Sequence, residues 1–194
     1  MNTVIIYAHP SHKGHCGYLL REVVSKLNSR NESFRVIDLY KDTFDALLQE
    51  EQLYTLHAKA RMTKKVTQYQ KILRSANTYI FIYPIWWNTM PAILKGFFDT
   101  VFTPKFAFVY KKFPIIPFKI PVGLLKGKKA FCYVTTAATW WQVYVLGKRY
   151  KTIVQNDILG FCGVKTKVYS FHNANSLTVA TKKRIARFVS KRLE

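Results

Sequence analysis

Residues 3–29 read TVIIYAHPSHKGHCGYLLREVVSKLNS, and this stretch sets the architecture of the chain. It opens with a short apolar, β-branched run over 3–8, breaks at His9 and Pro10, and passes through a polar turn containing Gly14 and Gly17. It then continues over 18–28 with Leu19, Leu20, Val23, Val24 and Leu27 on one face and Arg21, Glu22 and Lys26 opposite. Apolar residues at three- and four-residue spacing predict an amphipathic helix, and a continuous apolar run of strand length predicts a strand buried on both faces. The stretch is therefore a strand, a loop and a helix.

The same unit recurs along the chain. Further strands are expected over 34–40, 78–83, 129–135 and 167–171, and further helices over 64–76, 91–102 and 177–193. In the last helix Val179, Ile185, Phe188 and Val189 are expected inward. Pro91 falls in the first turn of its helix, where a missing N–H costs nothing. Strands alternating with helices predict an α/β fold, a doubly wound five-stranded parallel sheet with helices on both faces, formed by residues 1–194 as one domain. Residues 103–128 differ: Pro104, Pro114, Pro117 and Pro121 interrupt an aromatic and basic run, so a long loop is expected there. Its Phe106, Phe108, Tyr110, Phe113 and Phe118 suit a ligand lid, a subunit contact or a cover for the sheet edge.

At 194 residues with 49% hydrophobic content, the chain can bury a core without cross-links. Cys16, Cys132 and Cys162 have spacings that match neither a disulfide framework nor a zinc site, which implies a reducing compartment. No apolar run approaches the ~20 residues of a membrane span, and a cytoplasmic protein is expected. The excess of 31 Lys and Arg over 10 Asp and Glu gives a formal charge of +21. Such a surface attracts nucleotide phosphates, anionic lipid headgroups or nucleic acid, and charge alone does not choose among them.

Ligands of doubly wound sheets bind beyond the carboxyl ends of the strands, which selects the loops 9–17, 84–91 and 136–144. The first leads into a helix N-terminus, whose unpaired N–H groups and dipole favour an anion. It carries neither a dinucleotide glycine fingerprint nor a Walker sequence. His9, His12 and His15 recur every three residues, but no carboxylate or fourth ligand accompanies them, so no metal site is expected.

The third strand runs into YPIWWNTMPAILKGFFDTVF, residues 83–102, which resembles the flavin-binding signature of the NAD(P)H:quinone oxidoreductases with a flavodoxin-like fold. YAHP at residues 7–10, FAF at 106–108, GLLKGKKA at 123–130 and VTT at 134–136 follow the order of that family, so the resemblance spans residues 4–168. It implies that His9 contacts the flavin phosphate. It implies also that Pro84, Ile85, Trp86, Trp87 and Asn88 cradle the isoalloxazine through backbone amides and aromatic contact, with Thr135, Thr136 and Ala137 near the other edge. Where relatives carry Ser and Asn in the phosphate loop, this chain has His15, Cys16, Gly17 and Tyr18, which removes a hydroxyl ligand. A catalytic side chain is not assigned; Tyr144 is the nearest candidate for the tyrosine of some relatives.

By the same resemblance, the activity would be transfer of two electrons from NADPH or NADH through flavin N5, as FMN or FAD, to a quinone-like small-molecule acceptor, with the basic surface favouring NADPH. A homodimer is implied. Two other readings stay open: a regulatory subunit of a membrane transporter docked at an anionic membrane surface, and a flavin-free anion-binding or nucleic-acid-binding module, with nucleic acid the less favoured partner.

Overall fold

A computed structural model describes residues 2–53, 62–145 and 147–193. Five strands form one parallel sheet in the order β2-β1-β3-β6-β7, from β1 (Thr3–Tyr7), β2 (Phe34–Asp38), β3 (Thr78–Pro84), β6 (Lys129–Thr135) and β7 (Lys165–Phe171). β1 and β3 sit inside the sheet and are buried along nearly their whole length, which is why they read as unbroken apolar runs rather than alternating ones. The pairing is in register from Thr3 opposite Thr78 to Tyr7 opposite Ile82.

Successive side chains of β1 serve two cores. Val4, Ile6 and Ala8 pack with α2 (Lys64–Ser75) and α3 (Ala92–Val101), while Ile5 and Tyr7 pack with α1 (His15–Ser29) and α6 (Val179–Arg192). The doubly wound α/β arrangement expected from the sequence is the observed one. The element ends moved slightly: α1 begins at His15 rather than at Tyr18, and Pro91 is the N-cap of α3, its carbonyl accepting from the amides of Leu94 and Lys95. Val179, expected inward, is 70% exposed, because it follows the Thr178 N-cap in a first turn that projects beyond the core.

Residues 103–128 are not a loop. They hold an antiparallel hairpin, β4 (Phe108–Phe113) and β5 (Ile116–Gly123), with a register shift between Lys111 and Phe113. Prolines lack the ladder donor and are tolerated only at edges; in a two-stranded hairpin each strand has a free edge, so Pro117 and Pro121 fit inside β5. Phe106 and Phe108 at its base are buried in the main core, whereas the described side chains from residue 110 to 119 are exposed.

Residues between β6 and β7 also hold more structure than their sequence shows. α4 (Trp140–Val145), α5 (Arg149–Thr152) and a π-helical segment (Ile153–Gly160) make the crossover that two parallel neighbours require. Gly147 and the polar run from Gln155 to Asp157 interrupt the apolar period, and a π-helix does not follow the 3.6-residue repeat at all.

Candidate functional site

At the carboxyl ends of β1, β3 and β6 lies a cleft of about 450 Å³. Its floor is the start of α1. Gly14 caps that helix without a side-chain hydrogen bond, and the first helical bond runs from the Tyr18 amide to the Gly14 carbonyl, so the amides of His15, Cys16 and Gly17 have no helical acceptor. No acidic residue stands in this first turn. The end of the helix thus presents donors and a positive dipole with nothing of its own to neutralise them.

The three histidines of the loop do different things. The His9 ring is fixed on Ser11, its Nδ1 accepting from the Ser11 amide at 3.0 Å, and lies 6.1 Å from Trp86 between ring centres. His12 turns away to Asp38, with Nε2 2.7 Å from the carboxylate, and stacks on Tyr7. His15 is 6% exposed and lines the cleft, and its Nε2 is buried with no partner among the described residues. Burial, followed by the charge of Arg184, holds its imidazole below the ordinary value of 6.5, in the neutral form. Among the described residues no group of three or more His, Cys, Asp or Glu is placed to hold a metal ion.

Cys16 links the floor to the wall: its Sγ lies 3.2 Å from Thr135 Oγ1 at the end of β6. Burial pushes this thiol up to about 12, so it stays protonated and serves packing rather than nucleophilic attack. Thr136 donates its amide to the Phe171 carbonyl at 2.9 Å, and its hydroxyl accepts from the Ala138 amide, which fixes the turn that carries Ala137 into the cleft.

The opposite wall is Pro84, Ile85 and Trp86. Trp86 is 42% exposed and offers a flat face beside His9. The expectation that this loop presents backbone amides meets a limit here: the Ile85 amide is taken by the Thr135 carbonyl at 2.7 Å and the Trp86 amide by Thr89 at 2.9 Å. Trp86 and Thr89 close a two-residue turn whose tip is Trp87 at φ 49° and Asn88 at φ 57°.

Of the residues singled out by the sequence, His9, His15, Cys16, Pro84, Ile85, Trp86, Thr135, Thr136 and Ala137 line the cleft together. Gly17, Tyr18, Trp87 and Asn88 do not line it. A Cβ on Gly17 would lie 1.9 Å from the His12 carbonyl oxygen, so the glycine lets the loop close over the helix. Tyr18 lies outward under the Arg21 guanidinium, and Trp87 is fully exposed at 100%. Tyr144 lines a separate groove of about 690 Å³ with Trp140, Lys148, His172 and Arg184. Hydrogen bonds from Thr136 to Phe171 and from Ala174 to Thr136 tie together the strand-end turns that lie between groove and cleft.

Ala174, Asn175 and Leu177, from the loop between β7 and α6, complete the cleft and were missed. Their only sequence signal is position after the last strand, since no motif marks them.

A parallel sheet of this order, with its cleft at the strand ends and an anion-receptive helix start, defines a doubly wound α/β protein with a ligand cleft at its topological switch point. The chain belongs to the family of flavodoxin-like fold proteins, whose model matches residues 1–191. It is similar to human ribosyldihydronicotinamide dehydrogenase (quinone), 31% identical over 183 residues that cover 84% of this chain and 77% of the relative. It is also similar to FMN-dependent NADH:quinone oxidoreductase 2 of Clostridium perfringens, 28% identical across 86% of this chain and 81% of that protein. A crystal structure from Streptococcus mutans superposes with a TM-score of 0.84 at 29% identity, covering 98% of this chain and 97% of the other.

The cleft fits a flavin nucleotide by its own chemistry. First-turn amides without a helical acceptor and a buried His15 Nε2 with no partner among the described residues suit a phosphate. An exposed indole and the apolar Ile85 suit a planar ring, and the volume lies within the ~300–1,000 Å³ of small-molecule sites.

Proposed function

We propose that this protein is a flavin-dependent NAD(P)H oxidoreductase of the quinone reductase type. The observation that carries the reading is the cleft itself, where the unpartnered His15 Nε2 and the open start of α1 stand beside the flat face of Trp86. Similarity to a human ribosyldihydronicotinamide dehydrogenase (quinone) and a Clostridium NADH:quinone oxidoreductase supports it, and the FMN-dependence of the latter favours FMN over FAD.

A bound flavin supplies the two-electron chemistry between the nicotinamide and a quinone-like acceptor. The chain's own part is placement. The first-turn amides and His15 hold the phosphate, Pro84, Ile85 and Trp86 form one wall against the ring, and Thr135, Thr136 and Ala137 form the other. Lys13 on the rim, beside the start of α1, would add positive charge toward the phosphate. The wider basic surface, +21 over the chain, favours NADPH through its additional phosphate.

The hairpin 108–123 supports a homodimer. A two-stranded hairpin is marginal on its own in water, and this one exposes Tyr110, Phe113, Ile115 and Phe118, the apolar contact that a second subunit would cover. No helix among the described residues is long and apolar enough to cross a membrane. The three free cysteines, all buried, accord with a reducing cytoplasm.

The test is a visible absorbance spectrum of the purified protein, before and after FMN is added, followed by NADPH or NADH under argon. A flavin band bleached by the nicotinamide and restored by a quinone is expected. A protein that neither carries nor takes up flavin would reject the reading in favour of an anion-binding module.

A further inference from the structure

His15 combines three properties at the start of α1. It is 6% exposed, its Nε2 has no partner among the described residues, and it opens a 15-residue helix whose first-turn amides are also unspent. A buried polar atom is normally hydrogen-bonded, and an exception calls for an explanation such as a ligand. The cleft it lines contains no carboxylate. Asp38, the carboxylate at the end of β2 that meets this loop, is held by His12 and the Lys41 amide.

Resting on the flavin reading above, we propose that His15 binds the terminal phosphate of the flavin mononucleotide as an imidazolium, so that the protein takes up a proton when it loads its cofactor.

The groups around His15 decide the direction of the linkage. From its own segment, Lys13 and His9 share the cleft, and from α6 Arg184 acts on it; the Cys16 thiol is uncharged. The β3 loop contributes Pro84, Ile85 and Trp86, the β6 end Thr135 and Thr136, and the last loop Ala174, Asn175 and Leu177, none of them ionisable. Without a phosphate against it, the imidazole is held below its ordinary value by burial and then by the charge of Arg184. A phosphate monoester carries close to two negative charges at neutral pH, its second ionisation lying near 6. Placed against Nε2, it reverses the balance, and the ring gains a proton that it donates to the phosphate. A serine in this place would give a hydrogen bond indifferent to pH; a histidine makes retention of the cofactor depend on it.

The test titrates apoprotein with FMN and with riboflavin, which lacks the phosphate, following quenching of flavin fluorescence at a series of pH values. FMN binding should weaken between about pH 6.5 and 8, by up to about tenfold per unit for one linked proton, while riboflavin binding stays flat. His15→Gln keeps a donor but cannot take the proton, and should abolish the FMN slope. Calorimetry of wild-type protein in two buffers of different ionisation enthalpy needs no variant and should read net proton uptake for FMN alone. FMN binding without proton uptake, or a slope that persists in His15→Gln, would overturn the inference while leaving the flavin function intact. Failure of FMN and riboflavin alike to bind would overturn the flavin reading and this inference with it.

Discussion

Cys16 Sγ and Thr135 Oγ1 meet at 3.2 Å, and through this contact the first turn of α1 is held against the end of β6. The two residues are 119 positions apart in the chain. They set the width of the cleft between its floor and one wall. Thr135→Val keeps the shape and removes the hydroxyl, leaving a buried thiol without its partner. A loss of about 1–2 kcal/mol, read by urea denaturation, and weaker FMN binding are expected. The thiol itself should be inert: Ellman's reagent should leave Cys16 and Cys162, both pushed up to about 12 by burial, unmodified in folded protein and react with them once urea is added.

Gly17 is a packing requirement. Its missing Cβ leaves room for the His12 backbone, which would otherwise lie 1.9 Å away. Backbone on both sides cannot give way as a side chain tip can. Gly17→Ala should therefore lower stability by about 1–3 kcal/mol and pull His12 from Asp38, seen as a fall in the urea midpoint together with a changed His12 resonance.

Trp87 pairs full exposure with a left-handed backbone at φ 49°, a conformation that costs a non-glycine residue about 1–2 kcal/mol. A large indole kept there at a cost, one residue beyond the Trp86 wall, is expected to serve the approach of the acceptor from outside the cleft. Trp87→Gly should raise the thermal midpoint and lower kcat/KM for quinone. A variant that gains stability and keeps full activity would show that the indole has no such use.

Stability of the flavin-free protein should fall in mild acid. His15 and His172 are both held below the ordinary 6.5, each chiefly by burial. The unfolded chain then binds more protons than the folded one in the window between each folded value and 6.5. Stability is fully present above 6.5 and is lost as pH falls through the folded values. Denaturation midpoints taken from pH 7.5 down to 5 should show this decline, and His15→Asn should flatten part of it.

The hairpin tip offers a direct test of association. Ile115 is 96% exposed and Phe118 is largely exposed. Sedimentation velocity is expected to give twice the chain mass for wild-type protein and a monomer for Ile115→Asp combined with Phe118→Asp. Wild-type protein sedimenting as a monomer at micromolar concentration would remove the dimer from the account.

What the sequence by itself determined is what neighbouring residues decide among themselves. The strand at residues 3–8, the helices 64–76 and 91–102 and the loops that receive a ligand are legible because burial on a strand or a helix face repeats at short, fixed intervals. Motif resemblance added His9, Pro84, Ile85 and Trp86 to the cleft, and the structure brings them together there. The tertiary structure alone decided the rest. Proline spacing hid the hairpin, because only the position of a strand at an edge shows whether a missing N–H matters. The crossover before β7 was hidden by a backbone repeat that no 3.6-residue pattern follows. Ala174, Asn175 and Leu177 reached the site only because β7 pairs with β6 from Lys129 opposite Lys165 to Thr135 opposite Phe171. Nor could the sequence say that His12 would leave for Asp38 while His15, three residues on, would be buried unpartnered. The same residue type at the same spacing acquires its partners from elements distant in the chain: His12 meets Asp38 of β2, while His15 is buried near Arg184 of α6.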